Sequence, residues 1–216
     1  MRIAAFDTAS DLLSIALDDD GKRYVLSINI GLRHSESLLP ALDSLFSLAG
    51  GTHHLDLVVC MKGPGSFTGL RIGMATAKGL ASGFDCPLVV VPTLDALAFG
   101  RAFFPGAVVP VLDAKKGRVY AAIYASGRKE SDDLDIAPAD LVGLLAKRTP
   151  VLFTGSGADL LKPHLERRED WGIDDVRPNA AEALIELGRK RFAEYGGEPD
   201  DGGPVYLRPS EARLGG

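Results

Sequence analysis

Apolar and polar positions change period several times along the chain, and each change marks an element. The stretches "RIAAFDTAS", "DLLSIALDDDG" and "KRYVLSINIG" predict three consecutive strands, with the acidic DDDG making a tight turn between the second and third. "HSESLLPALDSLFSLAG" then spaces its apolar residues as a helix does and stops on glycine. "LDLVVCMKG" is a buried strand, "GPGSFTGLRIGMATAKGLASG" supplies a second helix, and "PLVVVP" and "TLDALAFGRAF" add another strand and helix. That order is expected of a mixed sheet covered by helices on both faces.

The second half reads as a worn copy of the first. "AVVPVLDAKKGRVYAAIYAS" repeats the strand, Asp, short turn and strand of "RIAAFDTASDLLSIALDD", so that Asp113 corresponds to Asp7. "PADLVGLLAKR" predicts a helix, "PVLFTG" a strand, "SGADLLKPHLE" a helix and "AAEALIELGRKRFAEYG" a long amphipathic helix. Two related lobes are therefore expected, residues 1–104 and 105–216, dividing near Phe104 to Gly106. The Gly/Pro-rich tail "GGEPDDGGPVYLRPSEARLGG" is expected to be extended and partly mobile.

Composition narrows the function classes. The 216 residues suffice for a real core without staples. Lys and Arg number 24 against 29 Asp and Glu, and the net charge of -5 argues against a protein that holds nucleic acid mainly by its own electrostatics. If RNA is involved, a partner carries most of the phosphate contacts. Cys60 and Cys86 have no CxxC spacing, which favours buried free thiols in a reducing cytosol. "MRIAAFDTAS" meets an acidic residue too early for a signal peptide, and no apolar run approaches the roughly 20 residues of a membrane span. A cytoplasmic protein without a membrane partner is the expectation.

The glycines of "GPGSFTG" suggest a phosphate loop, yet neither template fits. Counting from Gly63 the second P-loop glycine falls on Thr68, counting from Gly65 it falls on Leu70, and no Lys-Ser/Thr pair follows. The third glycine of a dinucleotide fingerprint also falls on Thr68. An anion could still meet the amides of this helix start, with Ser66 or Thr68 as cap and Arg71 nearby. The helix itself has only Arg71 and Lys78 as charges between Leu70 and Ala81. Packing on its own sheet accounts for Leu70, Met74, Ala77 and Ala81, whereas Ile72, Ala75, Thr76 and Gly79 fall on faces that would be left in water. Gly69, Gly73, Ala77 and Ala81 form a row of small residues that would let a second helix approach, and a subunit interface is the preferred reading over burial within the chain.

Asp7 and Asp113 each close an apolar strand before a turn, where a carboxylate can face metal-bound phosphate in two-lobed nucleotide-binding folds, and Thr8 and Ser10 could add hydroxyl contacts. The turns "DTASD" and "DAKKG" lack the glycine directly after Asp that lets amides wrap a phosphate, so a structural Asp fits equally. Gly155 and Gly157 in "FTGSGADLL" suit either an adenosine-side loop or a tight turn. No pair among His34, His53, His54 and His164 has helical metal-site spacing, and His53-His54 reads as a solvated loop pair. No GxSxG surrounds any serine. His34 opens a helix where Ser35 or the preceding turn can cap and Glu36 suits the dipole, and "GRKRF" reads as a solvated helix end that could touch tRNA phosphate as a minor contributor.

"AAFDTAS", "RHSESLLPALDSL", "GPGSFTGLRIGMATAKGLA", "VPTLDALA", "DAKKGRVYAAIY" and "PVYLRPSEAR" together resemble the TsaB, or YeaZ, family over nearly the whole chain. This resemblance implies two RNase H-like lobes in the actin/Hsp70-like ATPase (ASKHA) fold. It also implies a non-catalytic paralogue of TsaD in bacterial tRNA modification. There TsaD, with TsaB and the ATPase TsaE, transfers a threonylcarbamoyl group from threonylcarbamoyl-AMP to N6 of the adenosine beside the anticodon of ANN-decoding tRNAs. TsaD holds its metal through an HxxxH motif that this sequence lacks, so ATP, ADP and metal are expected mainly on TsaD and TsaE, with no cofactor required by this chain and no catalytic or metal-binding residue on it. In the family the helix matching Thr68 to Ser82 packs on the equivalent helix of TsaD, or of a second TsaB copy when TsaD is missing. The resemblance thus implies Gly69, Leu70, Ile72, Gly73, Thr76, Ala77 and Leu80 as the partner interface, with tRNA met at most through the complex. The competing class is an enzyme, either a small-molecule kinase using Asp7 and Asp113 around magnesium ATP or an M22-like metallopeptidase. The missing glycines count against the first and the missing HxxxH against the second.

Overall fold

The computed structural model describes residues 1–31, 33–51, 54–165, 168–174, 180–199 and 202–208. His53, tail residues 200–201 and the end of the tail from 209 lie outside them. The chain divides into two units, Met1–Ala96 with Asn179–Pro204, and Leu97–Pro178 with Val205–Gly216.

The first unit opens with β1 (Arg2–Asp7), β2 (Leu12–Asp19) and β3 (Lys22–Asn29). They form an antiparallel meander in which Asp7 faces Ser14 and Leu12 faces Asn29. The left-handed residues Asp20 (φ 49°) and Gly21 (φ 90°) make the β2–β3 turn, which accounts for glycine at the end of DDDG. Helix α1 (His34–Leu48), strand β4 (Leu57–Gly63), helix α2 (Phe67–Gly83), strand β5 (Leu88–Pro92) and helix α3 (Thr93–Phe99) follow. The sheet order is β3-β2-β1-β4-β5, with β4 parallel to both β1 and β5. Because side chains alternate across a sheet, Ala4, Phe6, Ile15, Val58 and Cys60 point to one face, where they build a core with Leu38, Leu42 and Leu45 of α1 and Met74 and Ala77 of α2. Burial pushes the Cys60 thiol up to about 12, so it behaves as a small apolar group.

The opposite face is covered by the last helix, α5 (Ala180–Tyr195). A Cβ on Gly188 would lie 2.5 Å from Val59 Cγ2, so glycine lets α5 sit close to the sheet. Arg189 Nη2 donates to Asp18 Oδ1 at 2.7 Å, Arg23 Nε donates to Asp18 Oδ2 at 3.1 Å, and Arg23 also pairs with Glu186. Asp18 is buried, so its two arginines keep a desolvated carboxylate paired. Arg189 in "GRKRF" is therefore ion-paired and partly buried against the first unit, while Lys190 is exposed.

The second unit contains β6 (Ala107–Asp113), β7 (Val119–Ala121), β8 (Tyr124–Ala125), β9 (Arg128–Lys129), β10 (Leu134–Ile136), helix α4 (Pro138–Leu144), β11 (Val151–Thr154), a 3-10 helix (Ala158–His164) and β12 (Trp171–Ile173). The main sheet path is β10-β7-β6-β11-β12, with β6 antiparallel to β7 and parallel to β11. That reproduces β2-β1-β4 of the first unit. Val109, Val111, Leu141, Leu161 and Phe153 fill its core, and Trp171 meets Phe153 edge-on at 5.7 Å between ring centroids.

The division differs from the expected one in two places. Residues 97–104 belong to the second unit, and α5 returns to the first because its apolar face and Arg189 pack on that sheet. The segment expected as a helix after β11 is one, of the 3-10 type; Pro163 supplies no amide to an α-helical ladder. In the tail, Arg208 makes a two-pronged contact with Asp135, Nε to Oδ2 at 3.1 Å and Nη2 to Oδ1 at 3.0 Å, and both residues lie in the second unit. Among the described residues no helix is long and apolar enough to cross a membrane.

Candidate functional site

Helix α2 carries most of the predicted interface. Ser66 caps it, its Oγ accepting from Gly69 N at 3.2 Å, and Ser66 N donates to Ala9 O at 2.7 Å. The glycines of the first turns face inward. A Cβ on Gly65 would lie 2.6 Å from Ala9 O, one on Gly69 2.0 Å from Thr8 O, and one on Gly73 2.2 Å from Thr8 Oγ1. These glycines let the helix start rest directly on the turn after β1.

The predicted interface set therefore splits. Gly69, Leu70, Gly73 and Ala77 are buried in the chain's own first unit, and cannot meet a partner, because the sheet and the Thr8–Ala9 turn already occupy that side. Ile72, Thr76 and Leu80 are half-buried at the margin. Thr68, Arg71, Ala75, Gly79, Ser82 and Gly83 are the exposed positions. A Cβ added to Gly79 or Gly83 would meet nothing within 4 Å. The signal for this outer stripe was present as Ala75, Gly79 and Gly83, small residues four apart, but the inward row has the same spacing. Arg71 lies over the Phe67 ring with 3.8 Å between Cζ and the centroid, which folds its charge along the helix start.

The end of β1 is sealed. Asp7 is buried, its Oδ1 accepts from Ala9 N at 2.7 Å, and burial pushes its carboxyl up to about 6 while the Ala9 amide pulls the other way. Thr8 is buried, and Ser10 Oγ accepts from Leu12 N at 3.3 Å. His34 at the start of α1 is buried; desolvation pulls it down from the usual imidazole range, opposed by a backbone hydrogen bond with Ser10 and by Asp11. The expected capping there is absent: Arg33 occupies the cap position with no side-chain bond, although Glu36 does sit in the first turn.

In the second unit Asp113 is exposed, with Oδ1 accepting from Lys115 N and Oδ2 from Lys115 Nζ, both at 2.7 Å. Gly155 (φ +97°) and Gly157 bring the turn after β11 onto β6: their Cβ atoms would lie 2.5 Å from Val111 O and 2.6 Å from Asp113 N. Gly157 N donates to Val111 O at 2.9 Å. Close packing within the unit thus requires both glycines. Among the described residues no three His, Cys, Asp or Glu side chains are grouped to hold a metal ion.

A family model described as TsaD: tRNA N6-adenosine threonylcarbamoyltransferase matches residues 30–155. The tRNA threonylcarbamoyladenosine biosynthesis protein TsaB of Bacillus subtilis is 35% identical over 229 residues, covering 98% of this chain and 96% of its own. The chain belongs to the TsaB family. YeaZ from Pseudomonas aeruginosa superposes with a TM-score of 0.78 at 26% identity, covering 95% of this chain and 100% of that one. A Bacteroides thetaiotaomicron protein with an actin-like ATPase fold gives a TM-score of 0.52 at 9% identity, with coverage of 86% and 95%. That second likeness concerns the fold alone, and it agrees with the duplicated arrangement of β2-β1-β4 and β7-β6-β11. Membership of the TsaB family places the chain in tRNA threonylcarbamoyladenosine biosynthesis.

Proposed function

We propose that this chain is a non-catalytic binding subunit that docks the threonylcarbamoyltransferase TsaD through the outer face of α2. The observation that carries the reading is the exposed stripe of Thr68, Arg71, Ala75, Gly79, Ser82 and Gly83, small except for Arg71 and bordered by half-buried Ile72, Thr76 and Leu80. Small side chains let a second helix axis approach to about 8 Å, and the bordering apolar groups then lose water on both sides. TsaD suits as occupant because the TsaD family model runs through α1 and α2 of this chain. Two related proteins can then present equivalent helices to each other around a pseudo-two-fold axis. A second copy of this chain would use the same face when TsaD is missing.

In this reading TsaD performs the transfer of the threonylcarbamoyl group from threonylcarbamoyl-AMP to N6 of the adenosine beside the anticodon. The present chain orders TsaD and offers surface to TsaE, with nucleotide and metal held by those partners. The test mixes the chain with TsaD, TsaE, threonylcarbamoyl-AMP and unmodified ANN-decoding tRNA. Gly79→Glu places a charge on the outer stripe without touching the core, and is expected to abolish complex formation and modification while the free chain stays folded. Normal assembly by that variant sinks the reading. ATP hydrolysis by the chain alone, lost in Asp7→Ala, would favour a kinase instead.

A further inference from the structure

At two of its inward glycines the proposed docking helix meets one and the same residue of the turn beneath it, Thr8. The closest approach at Gly69 is to a backbone atom, Thr8 O at 2.0 Å from an added Cβ. At Gly73 it is to a side-chain hydroxyl, Thr8 Oγ1 at 2.2 Å, with the Thr8 Cβ and Cγ2 next at 3.4 and 3.5 Å. Thr8 is itself buried at the end of β1, and Ala9 O is fixed by Ser66 N, so the turn has little room to retreat. Interiors of this density pass a displacement on rather than absorb it. A helix held along its inner face moves as a body, and a change at position 8 must appear on the outer stripe one helix radius away.

We propose that Thr8 is the positioning residue of the docking face: its hydroxyl sets how far the first turns of α2 stand from the sheet, and thereby how closely Thr68, Ile72 and Ala75 meet the partner helix. This rests on the docking of TsaD by α2 proposed above. It gives Thr8 a use that needs no ligand at the strand end, and links the buried end of β1 to affinity at the surface.

A double-mutant cycle on binding to purified TsaD tests it, with affinities corrected for the folded fraction. Gly73→Ala drives its methyl against the Thr8 hydroxyl and is expected to weaken binding about tenfold. On the Thr8→Ala background, where the obstructing oxygen is gone, the same Gly73→Ala change is expected to cost less than about twofold. Gly69→Ala serves as the contrast, since its clash is with a carbonyl that Thr8→Ala leaves in place, and it should not be rescued. If Gly73→Ala folds too poorly to measure, Thr8→Val puts a methyl where the hydroxyl was, and should weaken binding about threefold at unchanged helicity. Wild-type affinity in folded Gly73→Ala or Thr8→Val, or a loss that Thr8→Ala does not relieve, overturns the positioning role. Should Gly79→Glu also bind normally, the docking reading falls and the positioning role with it. If Gly79→Glu abolishes binding and the cycle is flat, the face stands and only the role of Thr8 fails.

Discussion

Asp7 and Asp113 end the first strands of their two lobes with the same local bond and opposite surroundings. Each Oδ1 accepts the amide two residues ahead at 2.7 Å, from Ala9 in one case and Lys115 in the other. Around the first turn, Gly69 and Gly73 of α2 approach Thr8, and Gly65 before the helix approaches Ala9, the residues after the aspartate. In the second lobe, Gly155 and Gly157 approach Val111, Leu112 and Asp113 N, at and before the aspartate. The approach is thus offset by two or three residues between the lobes, and one carboxyl is buried while the other is exposed. A repeated strand-Asp-turn pattern therefore specifies the hydrogen bond, while the segment packed across it specifies the chemistry. The two aspartates do not form an equivalent pair of carboxylates.

The glycine that seals the first turn is where the surroundings of the two aspartates differ most. Gly69→Ala places a methyl 2.0 Å from a backbone carbonyl, which no rotamer change relieves, and is expected to destabilise the chain by about 3 kcal/mol or more. Gly117→Ala in the other turn meets nothing within 4 Å, and pays only for a left-handed alanine at φ +71°, about 1 kcal/mol. Urea unfolding of both variants compares them directly, and equal losses would mean that α2 does not seal its turn.

Next in size is the effect of pH. The Asp7 carboxyl titrates near 6 in the fold against 3.8 as its ordinary value, so the folded state holds the proton more tightly than the unfolded one. Its contribution is fully present below pH 3.8, declines as pH rises, and is lost above 6. The whole change is about 3 kcal/mol at 1.36 kcal/mol per pKa unit. Asp7→Asn keeps an oxygen for Ala9 N and removes the charge, so it is expected to gain stability over the wild type at pH 8 and to lose that advantage by pH 4. Unfolding curves for the wild type and Asp7→Asn across that range decide the matter; a pH-independent difference between them would place that carboxyl in water.

Much of this contrast was beyond the reach of periodicity. Strands and helices were legible because their apolar spacing is local, and the duplication was legible because "VLDAKKGRVY" repeats "AAFDTASDLL" in kind. Helix α2 was legible as a helix with an unusually small polar face, and Ala75 and Gly79 as positions left in water. Its inward row was legible only at Ala77, which periodicity puts on the sheet side; Gly69 and Gly73 resemble Ala75, Gly79 and Gly83 in size and spacing, and it is Thr8 that distinguishes them. Ala77→Glu, which suggests itself from the sequence, would test folding rather than docking: Ala77 is fully buried. The placement of α5 was equally hidden, since Arg189 finds Asp18 at a separation of 171 residues.

The smallest expected effect lies in the backbone of the two turns, and it should reverse sign between them. Lys115 and Lys116 hold left-handed φ values of 61° and 55°, which cost a non-glycine residue about 1 kcal/mol or more. Thr8, Ala9 and Ser10 are not among the residues with positive φ. Lys116→Gly removes the strain but widens the unfolded ensemble, and the net gain is expected to be about 0.5 kcal/mol. Ala9→Gly brings only the entropic loss and the loss of a buried methyl, about 1 kcal/mol of destabilisation. Lys116→Asn separates the two contributions, because asparagine tolerates the left-handed region without glycine's freedom in the unfolded chain. If Lys116→Asn stabilises at least as much as Lys116→Gly, the second turn is strained where the first is packed. If neither stabilises, the left-handed backbone at Lys116 carries no net cost, and the two turns are more alike than their burial suggests.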